Sequence, residues 1–158
     1  MFTSLKGRSV IVTGSSKGIG RGIARRFGVA GCNLLVVSRQ LTEAKAVAAE
    51  IVAEGGNAKA FAADVTRQAD MAAMAHAAIE WFGAIDILCA NAGIFPAAKL
   101  GAMTEADFDT VIGTNLKGTF LSVSACLPAM KAKNSGRIIL TSSITGPVTG
   151  FQIGRAHV

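Results

Sequence analysis

At 158 residues, 51% of them hydrophobic, the chain is one domain's worth of sequence and can fill a sizeable core. The net charge of +6 raises nucleic acid as a partner, but Lys6, Arg8, Lys17, Arg21, Arg25, Arg26 and Arg39 are scattered and lack an aromatic-flanked patch. The basic first third suits a phosphorylated small ligand better, and no nucleic-acid partner is expected. No run approaches the roughly 18 apolar residues that a membrane span needs, and Met1 to Gly7 lacks the apolar stretch of a secretory signal. Cys32, Cys89 and Cys126 are odd in number, far apart and in apolar contexts. They read as reduced core residues and not as disulfides or metal ligands, so the expectation is a soluble cytoplasmic protein with no metal site and no membrane partner.

Hydrophobic runs alternate with helical patterns along the chain. Val10 to Thr13 is a β-branched strand, followed by glycines at 14, 18 and 20 and a helix to about Ala30. Ile19, Ile23 and Phe27 share one face of that helix at helical spacing, and Gly31 supplies a C-cap. Asn33 to Ser38 is a continuous apolar run, as expected of a strand covered on both faces. An alanine-rich helix, Leu41 to Glu54, puts Ala44, Val47 and Ile51 on one face and is stopped by Gly55 and Gly56; Lys59 to Ala63 is a third strand. Asp64 or Thr66 can cap the next helix, which runs to Phe82 and is closed by Gly83. Ile85 to Ala90 is the fourth strand, with a loop from Asn91 to Gly101. Thr104 and Asp107 form a capping-box pattern that opens a long helix toward Lys131, and Arg137 to Thr141 is the fifth strand. Five strands joined by helices at this spacing predict a parallel α/β sheet with right-handed crossovers, without repeats or linkers.

The stretch Val10-Ile-Val-Thr-Gly-Ser-Ser-Lys-Gly-Ile-Gly20 carries the first chemical signal. A buried strand, a tight turn and a helix N-terminus present free backbone N–H groups and the positive end of a helix dipole to an anion. The glycines let the backbone turn sharply and approach a phosphate without Cβ clashes. Alone, such a turn is weak evidence, since glycines also serve ordinary turns; its place in the first βαβ unit strengthens it.

The spacing G-x-x-x-G-x-G in Thr13 to Gly20 resembles the T-G-x-x-x-G-I-G signature of the short-chain dehydrogenase/reductase family. The resemblance recurs in order along the chain. Asp64, with Val65 beside it, follows the third strand where the family binds adenine; Ala90-Asn91-Ala92-Gly93 matches N-N-A-G except that the first Asn is Ala. Thr114-Asn115 lies where the family keeps a catalytic Asn, and Gly136-Arg-Ile-Ile-Leu-Thr-Ser-Ser143 matches the fifth strand and its catalytic serine. The overall tenor looks like the 3-oxoacyl-ACP reductase branch. The resemblance implies a Rossmann-type doubly wound parallel sheet with about five strands present and its C-terminal part missing. It assigns cofactor contacts to Gly14, Ser15, Ser16, Lys17, Gly18, Ile19 and Gly20 in the turn. Ser38, Arg39, Asp64, Val65, Asn91, Ala92, Gly93 and Thr114 complete that set, and Asn115 and Ser143 are the catalytic candidates. Structural roles compete with each: Asp64 as a helix cap, Asn91 as a left-handed turn residue, the serines as strand-end hydroxyls, and Lys17 and Arg39 as solvated cations. Asn115 sits among Val111, Ile112 and Leu116, so its amide needs partners and a structured kink or a water site is expected.

Within the resemblance, cofactor choice follows from charge. NAD-specific sites place an acid at the end of the second strand to hold the ribose 2′-hydroxyl, and here that place is Ser38-Arg39. Arg39 and Lys17 suit a 2′-phosphate, so NADP(H) is expected over NAD(H). The implied reaction is hydride transfer between the nicotinamide and a carbonyl or alcohol carbon, with a 3-oxoacyl thioester as one such substrate. Ser143 holds the substrate oxygen, a tyrosine and a lysine form the acid–base pair, and Asn115 supports a water in the proton relay. Family members also form dimers or tetramers through the long helix, so a homo-oligomer is expected of the full-length protein.

The chain departs from the pattern at its end. It contains no tyrosine; the family's Tyr falls at Ala156 and its Lys beyond Val158. Ile153-Gly-Arg-Ala-His-Val158 is what ATCGGAAGAGCACACGTC encodes, a common sequencing-library adapter. The expectation is therefore a nucleotide-binding domain over 1–151, a non-native read-through tail over 152–158, and no turnover from this chain alone. The alternative is a non-catalytic dinucleotide-binding module; Y-x-x-x-K soon after Phe151 in the encoding DNA distinguishes the two.

Overall fold

The computed structural model describes residues 4–96 and 100–143. Its strands are β1 (Ser9–Thr13), β2 (Asn33–Ser38), β3 (Asn57–Ala62), β4 (Ile87–Ala90) and β5 (Arg137–Leu140). They form one parallel sheet in the order β3-β2-β1-β4-β5. The order runs outward in both directions from β1, the doubly wound arrangement, and its switch point lies between β1 and β4.

The helices α1 (Gly18–Val29), α2 (Leu41–Ala53), α3 (Gln68–Phe82), α4 (Glu105–Val111) and α5 (Gly118–Ala132) cover the sheet. Strand alternation divides the core in two. Val10, Val12, Leu34 and Val36 pack with Ala44, Val47 and Ile51 of α2 on one face. Ile11, Leu35 and Leu88 pack with Met71 and Met74 of α3 and with Cys126 of α5 on the other. β1, β2 and β4 are covered on both sides, which is why their sequences are continuous apolar runs.

α1 packs through a different face from the one its large residues suggest. Gly20, Ala24 and Gly28 are its buried positions, Ile23 and Phe27 are only partly covered, and Ile19 is 70% exposed. The reason is close approach. A Cβ on Gly28 would meet Ile51 Cγ2 at 2.7 Å, and one on Gly56 would meet the same methyl at the same distance. Ile51 thus fills a socket between two glycines, joining α1, α2 and the turn into β3.

Other boundaries shift for local reasons. β3 begins at Asn57, two residues before Lys59, because Asn57 pairs with Asn33, and it ends at Ala62. β4 begins at Ile87 and not Ile85, and β5 ends at Leu140, one residue short of Thr141. Neither Asp64 nor Thr66 caps α3: Arg67 is its N-cap, and the Asp64 carboxylate instead accepts the Thr66 N–H at 2.9 Å and its hydroxyl at 2.7 Å. Gly31, at φ +77°, follows the Ala30 cap of α1, and Gly83 caps α3 at φ +79°. The Thr104–Asp107 capping box forms in both directions. The long helix it opens is not uniform: a π-helical segment, Ile112–Lys117, separates α4 from α5. All three cysteines are buried, and burial pushes the thiols up, to about 11 for Cys89 and about 12 for Cys126.

At the amino ends of β1 and β4 sits a charged cluster. Asp86 accepts hydrogen bonds from the Ser9 N–H at 2.8 Å, from Arg8 at 3.3 Å and from Lys133. Burial works against its charge, but Lys133, the Ser9 N–H and Arg8 outweigh it and hold the carboxyl below its ordinary 3.8.

Candidate functional site

The carboxyl ends of β1, β2 and β4 open onto a cleft of about 930 Å³. Its floor begins at Gly14. That residue has φ +65°, and a Cβ there would lie 2.7 Å from the Ala92 Cα, so only glycine fits. Gly20 is equally constrained, since a Cβ would strike the Gly14 carbonyl and the Asn91 amide. The turn between them passes through Gly18 at φ +54°.

The turn delivers the N-terminus of α1 to the cleft without a partner for its dipole. Lys17, its N-cap, makes no side-chain cap, and the first turn of α1 contains no acid. By contrast α2 has Glu43, α3 has Asp70, and α4 has Glu105 and Asp107 in the first turn. α1 therefore ends in uncompensated N–H groups facing open space, a place that favours an anion. Ser16, Lys17, Ile19 and Gly20 all line the cleft. Ser15 does not. Its N–H donates to the Val37 carbonyl at 3.0 Å, and its hydroxyl donates to Val12 O at 2.7 Å and accepts from Val37 N–H at 2.9 Å. Ser15 is spent on tying the turn to β2, and its buried hydroxyl lies outside the cleft lining.

The second wall comes from β2 and β3. Ser38 and Arg39 line it, with no carboxylate at the strand end itself, and Asp64 and Val65 face them. The Thr66 N–H pulls the Asp64 carboxyl below its ordinary value; partial burial opposes it, and the Thr66 hydroxyl, Arg39 and Arg67 add to the lowering. Val65 is buried against α5, where a Cβ on Gly118 would come within 2.7 Å of its Cγ2.

The third wall follows β4. Asn91 is a staple and not a left-handed turn; Asn134 is the one non-glycine at positive φ among the described residues. The Asn91 amide donates to Thr13 O at 3.1 Å, the Asn91 N–H donates to the Thr13 hydroxyl at 3.1 Å, and Asn91 Oδ1 accepts from the Thr141 hydroxyl at 3.2 Å. The ends of β1, β4 and β5 are thus bound together by one side chain. Ala92 donates its N–H to the same Thr13 hydroxyl, and Ala92, Gly93 and Thr114 reach the cleft.

Asn115 lies in the π-helical segment, one residue past Thr114, and outside the cleft lining. Its amide donates to Ile94 O at 2.9 Å and its Oδ1 accepts from Ile94 N–H at 2.8 Å. The helix is interrupted there by the π-helical segment, but the neighbours Ile112 and Leu116 are exposed, so the amide's partners come from the loop after β4 and not from a core. Ser143 is exposed, three residues beyond the end of β5. Thr13, Glu43, Asp109 and Thr141 also border or build the site; Thr13 and Thr141 lie within the glycine-turn and fifth-strand motifs without a role assigned to them, and Glu43 and Asp109 lie in none. A threonine ending a buried strand was the one available hint. Ala156, Gln152 and the rest of 144–158 lie outside the described residues, as do 1–3 and 97–99. The described residues form no group of three or more histidine, cysteine or acidic side chains able to hold a metal, and none of their helices is long and apolar enough to cross a membrane.

Known proteins share this arrangement. A 3-oxoacyl-[acyl-carrier-protein] reductase of Staphylococcus aureus is 39% identical over 142 residues, covering 89% of this chain and 58% of the relative. An uncharacterised oxidoreductase of Listeria monocytogenes is 34% identical over 143 residues, or 90% and 58%. A crystal structure of a metagenomic short-chain oxidoreductase in complex with NADP superposes with a TM-score of 0.83 at 39% identity, covering 91% of this chain and 65% of that one. The chain thus spans 58% of the length of these curated relatives. Residues 8–154 match the family model described as short chain dehydrogenase, and with that match over nearly the whole sequence the chain belongs to the short-chain dehydrogenase family of oxidoreductases.

Proposed function

We propose that the cleft binds NADP(H) and that the chain is the cofactor-binding part of a reductase acting on a carbonyl, with a 3-oxoacyl thioester as the substrate class. The observation that carries this is the uncompensated N-terminus of α1, opening into a cleft whose other wall bears Arg39 and no strand-end acid. The backbone N–H groups of residues 18–20 and the glycine floor suit the pyrophosphate, and Arg39 with Lys17 suits a 2′-phosphate. The nearby solved structure with NADP and the reductase from Staphylococcus aureus support the cofactor and substrate class respectively.

When bound, the nicotinamide supplies hydride chemistry. Of this chain's residues, Ser143 would hydrogen-bond the substrate oxygen, and Asn115 would hold the loop after β4 in place while its helix backbone supports a water. The proton for that oxygen needs an acid that these 158 residues lack, since the sequence contains no tyrosine. We therefore expect cofactor binding without turnover from this chain, and in the whole protein assembly of copies through α4 and α5. Phe108, Ile112, Leu116 and Phe120 stand exposed there at four-residue spacing, which supports that reading. The protein would act in the cytoplasm. The codons for 152–158 test whether that segment is read-through.

Fluorescence titration of the 158-residue chain with NADPH and NADH tests the central reading. NADPH should bind more tightly, and Arg39→Ala should weaken NADPH about tenfold while sparing NADH. Tighter binding of NADH by the unmodified chain would sink the 2′-phosphate assignment.

A further inference from the structure

The end of β2 is not purely cationic. Beside Arg39, the first turn of α2 brings Glu43 into the same cleft, where it meets Ser38. A serine hydroxyl has one proton and two lone pairs. The Gln40 N–H donates to Ser38 Oγ at 3.3 Å, and the hydroxyl donates to Glu43 Oε2 at 3.4 Å. With both bonds made, Ser38 has a lone pair left for a ligand and accepts in preference to donating. An ionised phosphate offers only acceptors, whereas a free ribose hydroxyl offers a donor. The same carboxylate lines the cleft that Arg39 lines, bonded to the residue that precedes Arg39.

We infer that Glu43 is a specificity-determining residue that opposes the 2′-phosphate and favours a free 2′-hydroxyl, narrowing the preference that Arg39 and Lys17 create. It acts by taking the Ser38 proton away from the ligand and by adding negative charge beside the phosphate position. The inference rests on the proposed dinucleotide reading of the cleft. It adds that the two dinucleotides are held closer in affinity than the cations alone would set.

The test is the ratio of NADPH to NADH affinity, measured by fluorescence titration of the 158-residue chain. Glu43→Gln removes the charge but still accepts the Ser38 proton; Glu43→Ala removes both. The ratio should rise about 3-fold in the first and about 3- to 10-fold in the second. Adding Ser38→Ala to Glu43→Ala should cancel the excess of the second over the first. Loss of the acid's support for the start of α2 would move both affinities together and leave the ratio unchanged. A ratio within about twofold of the unmodified chain in Glu43→Ala, while Arg39→Ala still lowers it, overturns this inference alone. Failure of either dinucleotide to bind the unmodified chain overturns the dinucleotide reading and this inference with it.

Discussion

The two ends of β1 and β4 are built from opposite uses of charge. At the amino end, Asp86 is wrapped by Arg8, Lys133 and the Ser9 N–H, and its charge is consumed within the protein. At the carboxyl end, the strands are joined by the neutral Thr13–Asn91–Thr141 hydrogen bonds, and Lys17 and Arg39 are left facing the cleft with no ion-pair partner among the described residues. One end holds the switch point together with ions. The other holds it with hydroxyls and an amide, which leaves its ions and the dipole of α1 available to a ligand. The ion pairs that hold the sheet and the cations offered to a ligand therefore sit at opposite ends of it.

Gly20→Ala should have the largest effect, because the new methyl meets backbone at Gly14 and the Asn91 staple together. A loss of about 2–3 kcal/mol in urea unfolding, with NADPH binding abolished, is expected. Asp86→Ala should cost about 2 kcal/mol, since Lys133 and the Ser9 N–H lose their acceptor, and should leave NADPH affinity unchanged. If it weakened binding as Gly20→Ala does, the separation between the two ends would be broken. Its pH dependence sharpens the point. The folded carboxyl lies below its ordinary 3.8, so its contribution is complete above that pH and is lost as pH falls through the depressed value. Acid unfolding of Asp86→Ala should lack that part of the slope. The smallest effect belongs to the Arg21–Glu50 pair between α1 and α2, bidentate at 2.9 and 2.8 Å but solvent-exposed. A double-mutant cycle should give about 0.5 kcal/mol, well under the Asp86 cluster.

Much of the fold was legible because the central strands are buried on both faces, so β2 could be read to the residue from Asn33 to Ser38. The edges were not. β3 alternates alanine with Asn57, Lys59 and Phe61, and its start is set by the partner Asn33, 24 positions away. The site was legible where chemistry constrains backbone, as at Gly14 and Gly20. It was illegible where direction decides: Ser15 and Ser16 are neighbours, yet the first is turned into the protein and the second lines the cleft. Asp86 gave no signal, since Arg8 lies 78 positions away and only the sheet brings them together. Glu43 read as an ordinary helical acid until Ser38 was seen beside it.

The Ile51 socket has a consequence for the far end of α1. A β-branched side chain has little rotameric freedom, so its methyl, pressed between Gly28 and Gly56, acts as a fixed stop. α1 is 12 residues long, about 18 Å, and its cleft end is aimed partly by where its other end is seated. A shift of a few tenths of an ångström at Gly28 tilts the whole rod and moves the N–H groups that face the cleft. Alignment of the anion-binding turn is thus partly fixed by an aliphatic contact a helix length away, where no ligand ever touches.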